Sequence, residues 1–445
     1  MARRLGYKTV SRLEKPIKKK SQTDLSDLRG CFARPSGQLV AGRKKEDIMN
    51  PFHVPEKELN HRIDRLQREM NARQIEGLLV VQRADLFYLS GTAQNGFLYI
   101  PAAGAPLLAV KRFFPRARQE SGLENMIAVD SVRELPGCLR DHYGQLPTVL
   151  ALELDVLPVV DYEYYRRLFD CRQFVDGSPA IMKVRRLKSA WEIKRMEETA
   201  DLSCNTFAYM RGAIRPGLSE MEFAGMYETA ARKLGHGGKL RTRHFQAEGY
   251  PWHVLSGENG GLVGMLDSPF SGRGTSAAFP SGAGHRKLRE NEPILVDFGA
   301  VLNGYHIDET RMFALGSMPE KALAACRAAI DIHNDVLAAV KPGMTAGEVY
   351  ERSLAEARKR GCEEAYLGPP GLKVRFVGHG IGVELIEPPF LAEGKTDVLE
   401  PGMTIALEPK FCFKDEFAAG IESVFRVTDN GARLISRVPV DIFIC

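Results

Sequence analysis

The chain has 445 residues, of which 44% are hydrophobic and 26% charged, with eight cysteines and a formal net charge of +5. That is long enough for two domains with a core each, the composition excludes a disordered or fibrous chain, and no apolar run approaches the roughly 20 residues that cross a bilayer. The cysteines (31, 138, 171, 204, 326, 362, 412 and 445) show no CxxC or other metal-type spacing, so they read as reduced thiols. With no signal-peptide core at the start, a cytoplasmic protein is expected.

The positive charge is local. Residues 1–49 hold 13 Lys/Arg against 5 Asp/Glu, net +8, which leaves −3 for the rest of the +5 total. Residues 1–54, with Lys18-Lys19-Lys20 and few large apolar side chains, are expected to be a basic disordered tail, with Met49 an alternative start. A nucleic-acid arm is the competing reading. The chain has no zinc-finger spacing, basic helix or aromatic-interleaved basic stripe, so nucleic acid is not an expected partner, and neither is a membrane.

Leu59, Ile63, Leu66 and Met70 predict an amphipathic helix over about 56–73. Leu78 to Val81 then reads as a buried strand, followed by short strands at 97–100, 107–110, 126–129 and 149–152. This alternation predicts a smaller α/β domain over 55–182 that acts as scaffold, dimerisation or gating element. Ser189 and Glu192 form a capping box that starts a long helix running to about Ala213.

An internal repeat follows. Arg215-Pro-Gly-Leu-Ser-Glu-Met-Glu returns 126 residues later as Lys341-Pro-Gly-Met-Thr-Ala-Gly-Glu, with Ser219/Thr345 and Glu222/Glu348 as N-cap and capping-box partners. Each copy follows a helical stretch (189–213 and 319–339) and precedes a β-rich region. Residues 183–445 therefore read as two αβ halves related by a pseudo-twofold.

Pro293 to Phe313 contains two β-rich runs around Asn303-Gly304, a pair suited to a tight turn with positive φ at both centres. A two-residue loop sets Leu302 against Tyr305 and Gly299 against Asp308, so Asp297 and Asp308 share a face as a diagonal pair roughly 7–8 Å apart between backbones. Converging carboxylates on an apolar hairpin call for a cation. Downstream come His379 in Gly378-His-Gly-Ile-Gly382, Glu408 in Ile405-Ala-Leu-Glu-Pro409 and Glu422 in Gly420-Ile-Glu-Ser423. Four carboxylates and an imidazole are a hard donor set, suited to Mn, Fe, Co or Zn in a catalytic rather than a structural site.

These five residues, in this order and with DFG, DETR, GHGIG and LEP around the first four, resemble the dinuclear site of the pita-bread metallopeptidases of peptidase family M24. The resemblance covers about 183–445, with a weaker one to the creatinase-type amino-terminal domain over 55–182. It implies an α+β pita-bread catalytic domain, two divalent ions held by Asp297, Asp308, His379, Glu408 and Glu422, a bridging hydroxide that attacks an amide carbonyl, and Glu408 as proton acceptor. It further implies Xaa-Pro peptidase-like hydrolysis of a small peptide or amide by a homodimer.

Two departures stand out. Prolyl-directed members carry one histidine in a PHG-like motif, where this chain has Ser281, and another shortly after GHGIG, where it has Ile386. His285, His306 and His253 are candidate substitutes. A non-peptidase member, an amidohydrolase or lyase on a small metabolite, is the alternative within the enzyme class, and a non-catalytic binding protein is the alternative outside it. The lyase branch would need an acid at 385 or 386, where the chain has leucine and isoleucine. Glu387, before Pro388-Pro389, reads as architectural. Glycines 378, 380 and 382 are expected to let the backbone pass close to metal.

Overall fold

The computed structural model describes residues 52–243 and 252–445. The basic tail predicted for 1–54 falls almost wholly outside that range. Among the described residues no helix is long and apolar enough to cross a membrane.

The amino-terminal part of the fold holds a six-stranded mixed sheet. Its strands are β1 (Gly77–Val80), β2 (Gly96–Pro101), β3 (Leu107–Lys111), β4 (Met126–Val129), β5 (Val149–Leu152) and β6 (Gln173–Asp176), in spatial order β4-β3-β2-β1-β5-β6. β1, central and buried throughout, pairs antiparallel with β2 and parallel with β5. The predicted helix spans Glu56–Ala72 and buries Leu59, Ile63, Leu66 and Met70, the stripe the 4-3-4 spacing calls for.

The larger part, residues 183–445, repeats one plan of two helices followed by strands. Helices Ala190–Ala213 and Glu220–Lys233 precede the strands β7 (Trp252–Ser256), β8 (Ile294–Leu302) and β9 (Tyr305–Ala314), an antiparallel run to whose β9 edge β17 (Ile442–Ile444) adds in parallel. Helices Glu320–Ala339 and Ala346–Lys359 precede β10 (Phe376–Gly380), β11 (Glu387–Ala392), β12 (Thr404–Leu407), β15 (Ser423–Thr428) and β16 (Gly431–Leu434), in order β11-β10-β12-β15-β16. Between β12 and β15 a separate hairpin forms from β13 (Lys410–Phe413) and β14 (Phe417–Gly420). The capping boxes at Ser189, Ser219 and Thr345 all form. Each gives orphan N–H groups a partner where a helix starts, worth typically about 1 kcal/mol apiece.

Helices 190–213 and 220–233 cover the outer face of β8 and β9 through an aromatic cluster. Phe207 meets Tyr227 and Phe298 edge-on, with ring centroids 5.6 and 6.1 Å apart, and Phe223 meets Phe313 at 6.5 Å. With that face closed by rings, the opposite face of the hairpin is left to carry polar groups.

Buried ion pairs and hydrogen bonds tie the amino-terminal part to the larger part. Arg185, 1% exposed, reaches Asp85 at 2.7 Å and Glu384 at 2.8 Å and also holds Glu387, which takes Lys188 at 2.6 Å. Arg62, fully buried, donates to the Tyr305 hydroxyl at 2.8 Å and to the Tyr88 carbonyl at 2.7 Å. Glu387 is thus engaged on both oxygens in structural contacts, as its place before Pro388 suggests.

Candidate metal centre

The β8–β9 hairpin has the register expected from its turn. Leu302 pairs with Tyr305, Gly299 with Asp308 and Asp297 with Thr310. Asn303 (φ 53°) and Gly304 (φ 85°) supply the two positive φ values, and a Cβ at Gly304 would stand 2.8 Å from the Phe87 ring, so only glycine fits beneath it. Asp297 and Asp308 consequently point the same way, and Glu422 joins them through β9. Its N–H donates to the Thr310 carbonyl at 3.2 Å, and Thr310 Oγ1 donates to Glu422 Oε2 at 2.9 Å. Behind it the buried Arg311 guanidinium donates to the carbonyls of Glu422, Val438 and Pro439, locking the chain that carries Glu422.

His379 lies on β10, between β11 and β12. Its Nδ1 is 3.0 Å from the Gly380 carbonyl, which assigns the proton to Nδ1 and leaves the Nε2 lone pair facing the acids. From Nε2 the distances are 3.8 Å to Glu408 Oε1, 4.0 Å to Asp308 Oδ2 and 4.0 Å to Glu422 Oε1. The flanking glycines are required by strand packing. A Cβ at Gly378 would stand 2.2 Å from the Ala406 carbonyl, at Gly380 2.4 Å from that of Pro388, and at Gly382 2.5 Å from Glu387 Oε1. They let neighbouring backbone and the Glu387 carboxylate press against this strand and so hold His379 from behind.

The structure adds a residue that sequence reasoning missed. Lys410, 3% exposed, places its Nζ 2.8 Å from Glu422 Oε2, 2.9 Å from Glu408 Oε2 and 3.0 Å from Asp297 Oδ2. Glu408 and Lys410 are two apart, and Lys410-Phe-Cys-Phe413 is an otherwise apolar strand, so period-two alternation was the available signal that this lysine shares a face with the glutamate.

Four carboxylates around one ammonium leave the electrostatics unbalanced. Burial pushes the Asp308 carboxyl well up, and the charges of Glu422 and Asp297 push it further. Burial likewise drives Glu422 up to about 8, against the pull of Lys410 and with the repulsion of Glu408 and Asp297. For Asp297 burial is outweighed by Lys410, so it falls below the ordinary range. Lys410 itself stays well above its ordinary value despite burial, held by Asp297, Glu408 and Glu422. A further cation would relieve the excess, and there is a place for it. One donor atom each from Asp308, His379 and Glu422 lies within 4.8 Å of the others, and Glu422 Oε1 is buried with no hydrogen-bond partner among the described residues. Three donors of this kind, with Glu408 Oε1 beside them, would hold a divalent ion.

The proposed substitutes for the two missing histidines fall in different places. His306 is fully buried with both ring nitrogens in use: Nε2 accepts from the Arg241 N–H at 3.2 Å, and Nδ1 donates to the Gly382 carbonyl at 3.0 Å. Burial drives its pKa down to about 3, so it is a neutral tie between the hairpin and the GHGIG strand, with no nitrogen free for a substrate. His285 is exposed, and Ile386 is 42% exposed. Ser281 is half-buried and precedes Gly282, whose Cβ position is 3.9 Å from His253 Nε2. His253 pairs with Asp297 across β7 and β8, and burial lowers its pKa while Asp297 opposes. Of the three histidines, His253 is the one paired directly with an acid by register, and it sits beside the place Ser281 occupies.

Residues 194–429 match the family model described as metallopeptidase family M24, and residues 62–187 match that of the creatinase/prolidase N-terminal domain. Among curated relatives, the uncharacterized peptidase YqhT of Bacillus subtilis (strain 168) is 25% identical over 386 residues, covering 86% of this chain and 99% of the relative. The Xaa-Pro dipeptidase of Pyrococcus furiosus is 23% identical over 382 residues, covering 85% of this chain and 98% of the relative. Among solved structures, the Xaa-Pro dipeptidase from Bacillus anthracis superposes with a TM-score of 0.74 at 23% identity, covering 87% of this chain and 100% of that one. The prolidase from Pyrococcus horikoshii OT3 gives 0.72 at 21% identity, covering 85% and 99%. At these identities the superpositions show the fold.

Proposed function

Since the chain belongs to metallopeptidase family M24, with a creatinase-type amino-terminal domain before a pita-bread catalytic domain, we propose that it is a metal-dependent hydrolase of a small peptide or amide. The observation that carries this reading is the convergence of Asp308, His379 and Glu422 donors within 4.8 Å beside an unpartnered, buried carboxylate oxygen. A divalent ion held there would make water a usable nucleophile near neutral pH and polarise an amide carbonyl. The chain's own residues do the rest. His379 offers one nitrogen only, fixed by its bond to the Gly380 carbonyl. Glu408, with Oε2 anchored on Lys410 and Oε1 facing the donors, is placed to accept a proton.

The Xaa-Pro dipeptidases among the relatives make Xaa-Pro dipeptides the first substrates to test. A second reading, an amidohydrolase or lyase on a small metabolite, is favoured by Ser281 and Ile386, which put no imidazole at either position where prolyl-directed members have one. The test is a panel of Xaa-Pro dipeptides, N-acyl amino acids and small amides with Mn, Co, Fe or Zn, with and without chelator. Metal-dependent turnover of an amide, lost in Asp308→Ala, is the expected result. Turnover that survives both chelation and Asp308→Ala would overturn the proposal. A cytoplasmic homodimer belongs to the same proposal and is checked by light scattering and fractionation.

A further inference from the structure

We infer that the Lys410 ammonium stands permanently where the second ion of a two-metal site would sit, so that this centre takes a single divalent ion. The inference rests on reading the site as a metal centre, and it concerns how many ions that centre admits.

The geometry argues it through the carboxylate oxygens. Glu422 and Glu408 each divide their two oxygens the same way. Oε2 goes to Lys410, at 2.8 and 2.9 Å, and Oε1 turns toward His379, at 4.0 and 3.8 Å. Two carboxylates that share themselves between two cationic positions are what a bridged pair requires, and here one of those positions already holds a charge. Asp297 gives that position its third oxygen and contributes nothing to the Asp308-His379-Glu422 group. A divalent ion placed about 2.0–2.2 Å from Asp297 Oδ2 and Glu422 Oε2 would have to enter the space Nζ fills at 3.0 and 2.8 Å from those same oxygens. Two cations cannot occupy it together.

The lysine is also built in. It starts β13 directly opposite Gly420 of β14, and a Cβ at Gly420 would lie 2.7 Å from Lys410 Cγ, so the strand partner leaves the aliphatic stem its path. The Phe270 ring centroid stands 5.9 Å from Nζ, closing one side with an aromatic face. The Leu367 N–H donates to the Lys410 carbonyl at 2.9 Å, fixing the backbone.

The experiment is metal loading of the full chain with Mn(II), read by elemental analysis and electron paramagnetic resonance, for the wild type and for Lys410→Ala. The expected result is one ion per wild-type chain with an uncoupled Mn(II) spectrum, and two ions with an exchange-coupled spectrum in Lys410→Ala. Two coupled ions on the wild type would overturn the inference and leave the hydrolase reading standing, and this arm needs no variant to fold. A single ion on a folded Lys410→Ala would also overturn it, because the lysine would not be what keeps the second ion out. No ion on the wild type at saturating Mn(II), Co(II) or Zn(II) would instead sink the metal-dependent reading, and this inference with it.

Discussion

Glu153 offers a test of the electrostatics that needs no substrate. It is fully buried, and its Oε2 accepts from the N–H groups of Val81 and Gln82 at 2.6 and 2.8 Å. Asp85 lies beside it, and burial together with the Asp85 charge raises Glu153 well above its ordinary 4.5. Asp85, whose burial is outweighed by Arg185 and Arg243, falls to about 2 and keeps its charge. Glu153 is therefore protonated in the folded chain at pH values where it ionises in the unfolded one. The sign follows: with its folded pKa raised, its contribution is complete below about pH 4.5 and drains away as pH rises toward the folded value. Within that window the native state binds one proton more, so stability falls by about 1.4 kcal/mol per pH unit from this group. Glu153→Gln keeps an acceptor for both N–H groups and a donor for Asp85 but cannot titrate. Urea unfolding of both proteins at successive pH values above about 4.5 should show the variant gaining on the wild type as pH rises toward the folded value, with equal m-values. A stability gap that stays flat across the range would refute the argument.

Arg185→Met should cost about 3–5 kcal/mol, because Asp85, Glu384 and Glu387 would keep buried charges after losing their shared partner; urea midpoints read it, and a loss under about 1 kcal/mol would contradict the clamp. Gly304→Ala should lose about 1–2 kcal/mol from positive φ alone, plus the cost of a Cβ 2.8 Å from Phe87, visible as a lower melting temperature. His306→Ala should destabilise by about 1–3 kcal/mol by stranding the Arg241 N–H and removing one of the two donors to the Gly382 carbonyl, without changing the shape of the pH–rate profile; a lost limb of that profile would instead mark His306 as catalytic. Asp308→Asn should bind at least tenfold less Mn(II) in equilibrium dialysis while folding normally, since a neutral amide relieves the very repulsion that raises the Asp308 pKa.

What could be read from the chain were features whose physics is local. Asn303-Gly304 sets a turn, the turn sets a register, and the register alone puts Asp297 and Asp308 on one face. Ser189, Ser219 and Thr345, each three residues before a glutamate, mark helix starts with hydrogen bonds that close within one turn. His379, Glu408 and Glu422 stood out by residue type and flanking sequence, but joining them to the hairpin took a resemblance to a known pattern, because nothing local says that β10, β12 and β15 return to it. That same pattern hid Lys410. A template of five ligands assigns every cation in the site to metal, so it gives no role to a lysine two residues past one of them. Its role depends on Gly420, ten residues away and opposite it across a hairpin, and on carboxylates from two different sheets closing round a single ammonium. The crowding at the glycines around His379 was hidden for a related reason: it comes from Ala406, Pro388 and Glu387, which only the closed sheet brings there. Where a residue's partner is set by the fold, its type carries half the information, and the other half exists only once the sheets have closed.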